Sequence, residues 1–243
     1  MCSWGHPGPA AGSGQQIVRI VDVDDAAQLV ADDGSRLRLA HIEFPKRETG
    51  SRHWTVARPE VLDWLRSRVV GQELTLDPAR SSFDRGGRML IDISIDEGQP
   101  LVAELLAEGF GILRPDLGTV TDPEKLLAAE KQARGRRSGI WAGGLAGPVD
   151  HDDAGRLIGH YGLVTGRVLQ STPTRYYVYC NFGKRWREDF TVRIPTEAAR
   201  LLSRQGLDVT KLGGRKVMVR GWLFEEDGPM IEMTNRHEIE ILE

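Results

Sequence analysis

The order of the apolar runs predicts an α+β protein made of two successive β-rich units. Three observations carry this reading. Residues 17–141 set strand-like runs around one helical segment and close with two more helices. From residue 157 onward five strand-like runs follow, with a single helical segment after the third. Between them lies AGGLAGPVDHDDAG, poor in large apolar residues and rich in glycine, so residues 142–156 are expected to be a linker. Strands followed by helices give α+β rather than alternating α/β. Five strands with a helix between the third and fourth is the element order of an OB-type barrel, which is the expectation for residues 157–243.

The elements follow in order. MCSWGHPGPAAGSGQQ is a Gly/Pro/Ala-rich opening, and residues 1–16 are expected to form a disordered tail. QQIVRIVDV and SRLRLAHI are β-branched or alternating runs, and the DDG between them is a turn signal, so they read as a hairpin. In RPEVLDWLRSRVVG, Val61, Leu62, Leu65, Val69 and Val70 recur at helical spacing between Pro59 and Gly71, which predicts a helix beginning near the proline. ELTLDPA and RMLIDISI read as strands around the glycine-containing loop SSFDRGG. PLVAELLAEGFGIL is a helix stopped by glycine, and TDPEKLLAAEKQARGRRSGIW is a helix capped by Thr121 or Asp122 with Pro123 in its first turn. GLVTGRVLQ, RYYVYCNF, DFTVRI, RKVMVRGWLF and MIEMTN are the five later strands, with PTEAARLLSRQG as the helix.

Composition bounds the function. The chain has 243 residues, 40% hydrophobic and 28% charged, which is the profile of a globular protein with room for two cores. Its net charge of -3 includes 32 basic residues, so a locally basic surface is compatible with the total. Cys2 and Cys180 offer neither a disulfide framework nor a zinc spacing. No apolar run is long enough for a transmembrane helix, so no membrane partner is expected. The opening lacks the basic and apolar regions of a secretory signal, giving a cytoplasmic expectation, or export if the true start lies upstream.

VDVDD, RLRLAHIEFP and DRGGR, followed by LVAELLAEGFG and AAEKQARGRRSGIW, stand in an order that resembles the staphylococcal nuclease family across residues 17–141. The resemblance implies a five-stranded barrel of OB type with three helices, and calcium-dependent cleavage of DNA and RNA. It places a calcium-binding aspartate at Asp24 and a second metal carboxylate at Glu43, with a metal-facing carbonyl at Phe44. The phosphate-clamping arginines fall at Arg38 and Arg88, with Arg85 at a neighbouring basic position. Where the family has the glutamate that activates water, this chain has Lys46. A protonated lysine cannot accept that proton, and it repels a nearby cation. Glu48, two positions further on, is the candidate substitute base. The family's nucleoside tyrosines find no match in GILRPDL.

The second unit has its own candidate surface in RYYVYCNFGKRWRED, where Tyr177, Tyr179 and Trp186 interleave with Lys184, Arg185 and Arg187. Aromatics among bases are what single-stranded DNA or RNA needs for stacking and charge neutralisation. Plainer readings stand beside each: strand alternation sends about half of such aromatics inward, NFGKRW reads as a hairpin loop, and Asp24 reads as a turn-capping carboxylate. The leading expectation is a nucleic-acid-binding protein of nuclease-like fold with impaired or lost cleavage. An active metal-dependent nuclease and a protein-binding scaffold are the alternatives.

Overall fold

The structure, a computed structural model, describes residues 16–44, 52–76, 82–84, 86–95, 99–116, 122–144, 147–185 and 187–242. Strand β1 (Gln16–Val23) turns Val18, Ile20 and Val23 inward and its polar residues outward. β2 (Leu29–Ala31) and β3 (Arg36–Leu39) follow, then β4 (Ile42–Glu43), α1 (Arg52–Val69), β5 (Glu73–Leu76), β6 (Ser82–Phe83) and β7 (Met89–Ile91). The strands join in the order β5-β1-β2-β3-β7-β6, antiparallel except for the parallel β3–β7 pair. β8 (Ser94–Ile95) and β9 (Gln99–Pro100) form a small ladder ahead of α2 (Leu101–Glu108). β10 (Ile112–Leu113) pairs with β4, and α3 (Pro123–Arg136) closes this half, its N-cap Asp122 accepting from the Lys125 N–H at 3.1 Å. Leu65 and Val69 of α1 pack with Leu101, Leu105 and Leu106 of α2 on the inner face of the sheet.

Three expectations change here. The sequence pattern paired β1 directly with the arginine strand, but the short β2 lies between them, because LVA is apolar enough to form its own ladder. Helix α1 begins at Arg52, so Pro59 lies inside it rather than at its start, and Val70 is exposed beyond its end. The 142–156 stretch is not a linker throughout. Val149–Asp150 forms β11, parallel to the first strand of the second half, and His151–Leu157 is a 3-10 turn whose Ala154 is fully buried. Its few apolar residues suffice because they seat directly on the second core.

The second half comprises β12 (Tyr161–Arg167), β13 (Gln170–Pro173), β14 (Tyr177–Asn181), β15 (Thr191–Pro195), α4 (Thr196–Arg204), β16 (Lys216–Glu225), β17 (Pro229–Glu232) and β18 (Ile239–Ile241). Pairing runs β11-β12-β16-β17-β15-β14-β13, with β18 on the other edge of β16. β12 and β13 are separated only by Val168 and Leu169, so the path from β12 round to β13 starts and ends on one stretch of chain.

Glycines 109 and 139 join α2 to the turn after α3. Both have positive φ, 77° and 55°, and a Cβ on either would collide with a backbone carbonyl of the other segment.

The halves meet along one face of β16. Val217, Val219 and Leu223 point into the second core, so Met218, Arg220, Trp222 and Phe224 take the opposite face. Met218 joins Ile112, Ala133, Trp141 and Tyr161 in a small shared core. Next to it Arg220, 1% exposed, donates to both carboxylate oxygens of Glu130 on α3 at 2.9 and 3.0 Å and to Glu240 on β18 at 2.8 Å. Arg134 and Lys131 of α3 also reach Glu240, at 2.9 and 3.2 Å. The same Glu130 accepts the Leu113 N–H at 2.6 Å, while the Leu113 carbonyl accepts from Tyr161 at 3.1 Å and from Arg220 at 3.3 Å. Burial works against the Arg220 charge, but Glu130 and the surrounding acceptors outweigh it and hold the guanidinium firmly protonated. Among the described residues no helix is long and apolar enough to cross a membrane.

Removing one partner of a buried ion pair leaves an uncompensated charge, typically costing about 3–5 kcal/mol. Arg220→Ala is therefore expected to lower the unfolding free energy by about that amount, read as a lower urea midpoint. Arg220→Met combined with Glu130→Gln is expected to recover part of the loss; an Arg220→Ala midpoint equal to wild type would contradict the role given to this cluster.

Candidate functional site

Alternation along β3 sends Leu37 and Leu39 into the core and Arg38 outward beside β7. His41, with a positive φ of 61°, turns the chain into β4, whose pairing with β10 sets Glu43 opposite Ile112 and next to Arg114. The Asp84–Gly87 turn is closed by its own aspartate: Asp84 Oδ1 accepts the Gly86 and Arg88 N–H groups at 2.8 and 3.0 Å. Its Oδ2 accepts from Arg88 Nε at 2.8 Å and from Arg38 at 3.0 Å.

These local turns assemble a chain of alternating charges. Arg88 meets Asp84 at 2.6 Å, Asp84 meets Arg38 at 3.0 Å, Arg38 meets Glu43 at 2.8 Å, Glu43 meets Arg114 at 3.0 Å, and Arg114 meets Asp116 at 2.6 Å. The Arg114 guanidinium lies 4.7 Å above the Tyr161 ring, which fastens the chain to the second half. Burial works to raise the Asp84 pKa, but the hydrogen bonds from Arg88 and Arg38 outweigh it and hold the carboxyl well below the usual range. Burial likewise opposes the Arg114 charge, and Asp116 and Glu43 more than restore it.

The chain lines a cleft of about 1250 Å³ between the halves. Its opposite wall is built by Trp222 and Phe224 of β16 and by Arg193 of β15. The Arg193 guanidinium is held between the rings of Tyr177 and Phe224, at 5.0 and 5.1 Å, and bridges Glu226 and Glu232 at 2.9 and 2.8 Å. Glu238 also lines the cleft; burial pushes its carboxyl up to about 7, with the Asp116 charge adding to the rise against the Asn235 and Thr234 N–H groups that lower it.

The expected site residues divide sharply. Arg38, Arg88, Glu43 and Phe44 share the cleft. Asp24 does not line it: its Oδ1 accepts the Ala26 and Gln28 N–H groups at 2.8 and 2.9 Å, and its Oδ2 accepts from the Gln28 side chain at 3.0 Å and Arg36 at 2.9 Å. A carboxylate has about four acceptor positions, and all four are taken. Glu43 Oε2 is shared by two arginines. Among the described residues, these carboxylates do not offer the several free, negatively charged oxygens that a calcium ion needs. Among the described residues, the one group of three metal-ligating side chains is Asp150, His151 and Asp152, at the start of the second half. Lys46, Glu48, Arg85 and Trp186 lie outside the described residues.

On the second half, Tyr177 and Tyr179 sit on one face of β14 with rings 5.8 Å apart, and Arg193 connects Tyr177 to the cleft wall. Lys184, Arg185 and Arg187 are exposed in a hairpin away from the cleft, closed by Asp189 on the Arg185 N–H and by an Arg185–Glu188 pair at 2.7 Å. Arg114, Asp84, Asp116, Arg193 and Trp222 were not among the expected site residues. Asp84 was legible in DRGGR, where an aspartate four residues before an arginine is a turn-closing pair. Arg114 and Trp222 become neighbours only when the two halves dock.

Residues 36–143 match the family described as staphylococcal nuclease homologue. No curated protein matches the sequence. This part of the chain is therefore a staphylococcal nuclease-like domain, and the β1–β2 and β1–β5 ladders carry its sheet upstream to Gln16.

Two pH dependences follow from the cleft. Asp84 is held ionised well below the roughly 3.9 of an unfolded aspartate, so its contribution is present above that pH and lost as pH falls through its folded value. Asp84→Asn should be less stable than wild type at pH 7, with the gap narrowing below about pH 4; a gap independent of pH would contradict the pairing. Glu238 titrates higher folded than unfolded, where about 4.3 is usual, so its contribution is present below that pH and lost as pH rises toward 7. Glu238→Gln should be more stable than wild type at pH 8 and equal to it near pH 4, as read from thermal midpoints.

Proposed function

We propose that the protein binds single-stranded DNA or RNA through phosphodiester contacts in this cleft and cleaves it poorly or not at all with calcium. One observation carries the reading: Arg38 and Arg88, the arginines at the phosphate-clamping positions of the family, converge on one carboxylate, Asp84, at the cleft surface. Two guanidinium groups converging on one oxyanion match the fork geometry of a phosphodiester, whose two non-bridging oxygens share a single negative charge as those of a carboxylate do. Poor cleavage is supported by the commitment of Asp24 and Glu43 to arginine and turn partners, and by the lysine at position 46, where the family has its base.

The second half fits an OB-type barrel in this reading. Support comes from strand partners: the 161–173 stretch pairs with β16 and with β14, β15 is parallel to β17, and α4 sits between the third and fourth principal strands. An active nuclease is the second reading, favoured by the family match itself.

Fluorescence anisotropy with a labelled thymidine oligonucleotide tests the proposal. Each neutralised phosphate on a single strand contributes about -0.7 to the slope of log K against log salt. Arg38→Ala and Arg88→Ala are each expected to weaken binding, and the two together to flatten the slope by about 0.7, because both grip one phosphate. Wild-type cleavage of the same strand with calcium, lost in Glu43→Gln, would replace this reading with the nuclease one.

A further inference from the structure

The cleft is poor in net positive charge, which limits what phosphate contacts alone can hold. Among the described residues four arginines line it against six carboxyl groups, and the arginines are engaged by those carboxylates. Counterion release from one or two phosphates gives only a shallow affinity gain. A single strand bound here needs a second source of free energy, and the cleft walls provide one. Trp222 is 39% exposed although it stands beside the fully buried Arg220 face, and Phe83 on the facing wall is 53% exposed. Both are large rings left in contact with water at the mouth of a concave site. From Trp222 the wall continues to Phe224 and the Arg193 guanidinium, from which Tyr177 and Tyr179 lead out of the cleft as a run of flat groups at 5.0 to 5.8 Å spacing from Phe224 onward.

We infer that a nucleobase stacks on Trp222, from the second half, while its adjoining phosphate is taken by Arg38 and Arg88 of the first, so that neither half alone makes the site. This rests on the phosphodiester-binding reading above. The occupant is single-stranded nucleic acid: a duplex keeps its bases paired and stacked, whereas a single strand presents both a π-face and a phosphate at each step. The interleaving of rings with guanidinium groups across one cleft fits that repeat. The second half's contribution thereby moves from the Lys184–Arg187 hairpin, which lies away from the cleft, to one face of β16.

The test compares a thymidine oligonucleotide with an abasic strand of the same length and charge, by anisotropy, on the full chain. Stacking on one aromatic is worth about five- to 150-fold in affinity. Trp222→Ala is expected to weaken thymidine binding within that range, to leave abasic binding and the salt slope unchanged, and to be largely rescued by Trp222→Phe. Trp222→Leu, which keeps an apolar side chain at the interface without the ring, decides the matter should the alanine variant unfold. Equal loss on both strands would assign Trp222 to the architecture of the cleft and overturn the proposal, as would no loss on either. Absence of wild-type binding to both strands would remove the phosphodiester reading and this proposal with it. Equal wild-type affinity for both strands would remove the stacking alone.

Discussion

Arg220 is the constraint on which the arrangement of the two halves depends. A guanidinium withdrawn this far from water tolerates few positions, because desolvation is large and only a full set of acceptors offsets it. Glu130 from α3 and Glu240 from β18 provide that set, and Glu130 also holds the Leu113 N–H at the end of β10. A slide of one half against the other would strand several charges together. Apolar contacts alone, such as Met218 against Trp141 and Tyr161, tolerate sliding far better. The ionic cluster therefore fixes register, and register places Trp222 and Phe224 two and four residues further along β16 on the rim of the cleft.

Within the cleft the same logic produces a different result. The acidic groups here are committed to partners of their own: Asp24 closes its own hairpin, and Glu43 sits between Arg38 and Arg114. Arg114 comes from GILRPDL, so this one segment provides the second arginine that holds Glu43. What remains is a string of arginine–carboxylate pairs, near neutral overall, with rings on the far wall. Such a surface favours contacts that exchange one acceptor for another, together with stacking, over long-range attraction of polyanions.

The nuclease-like half was legible because its signals are local. Helical spacing at Val61, Leu62, Leu65 and Val69, the Asp122 N-cap and the glycine after α2 each act within a turn or two of chain, and the motif order did the rest. The short β2 was missed because three apolar residues between polar turns carry little periodic signal. The 142–156 stretch misled because glycine content suggests flexibility, while Val149, Ala154 and Leu157 are enough to seat it on the second core. Arg38, Arg88 and Glu43, which family order singled out, line one cleft. Their salt-bridge partners were not singled out, since Arg114 is 71 residues from Glu43 in the chain and no spacing rule connects them. Trp222 read as one more strand residue: alternation in RKVMVRGWLF distinguishes two faces but does not say that the outer one meets another half.

In the proposed complex, nucleic acid occupies the cleft between the halves and touches both walls. Ultraviolet crosslinking of a thymidine oligonucleotide to the full chain, followed by peptide mass spectrometry, tests it most directly. The expected result is crosslinked peptides from both sides, those carrying Phe83 and Trp222, competed away by unlabelled single strand. Crosslinks confined to the exposed hairpin around Lys184 and Arg185, with both cleft walls unmodified, would contradict it.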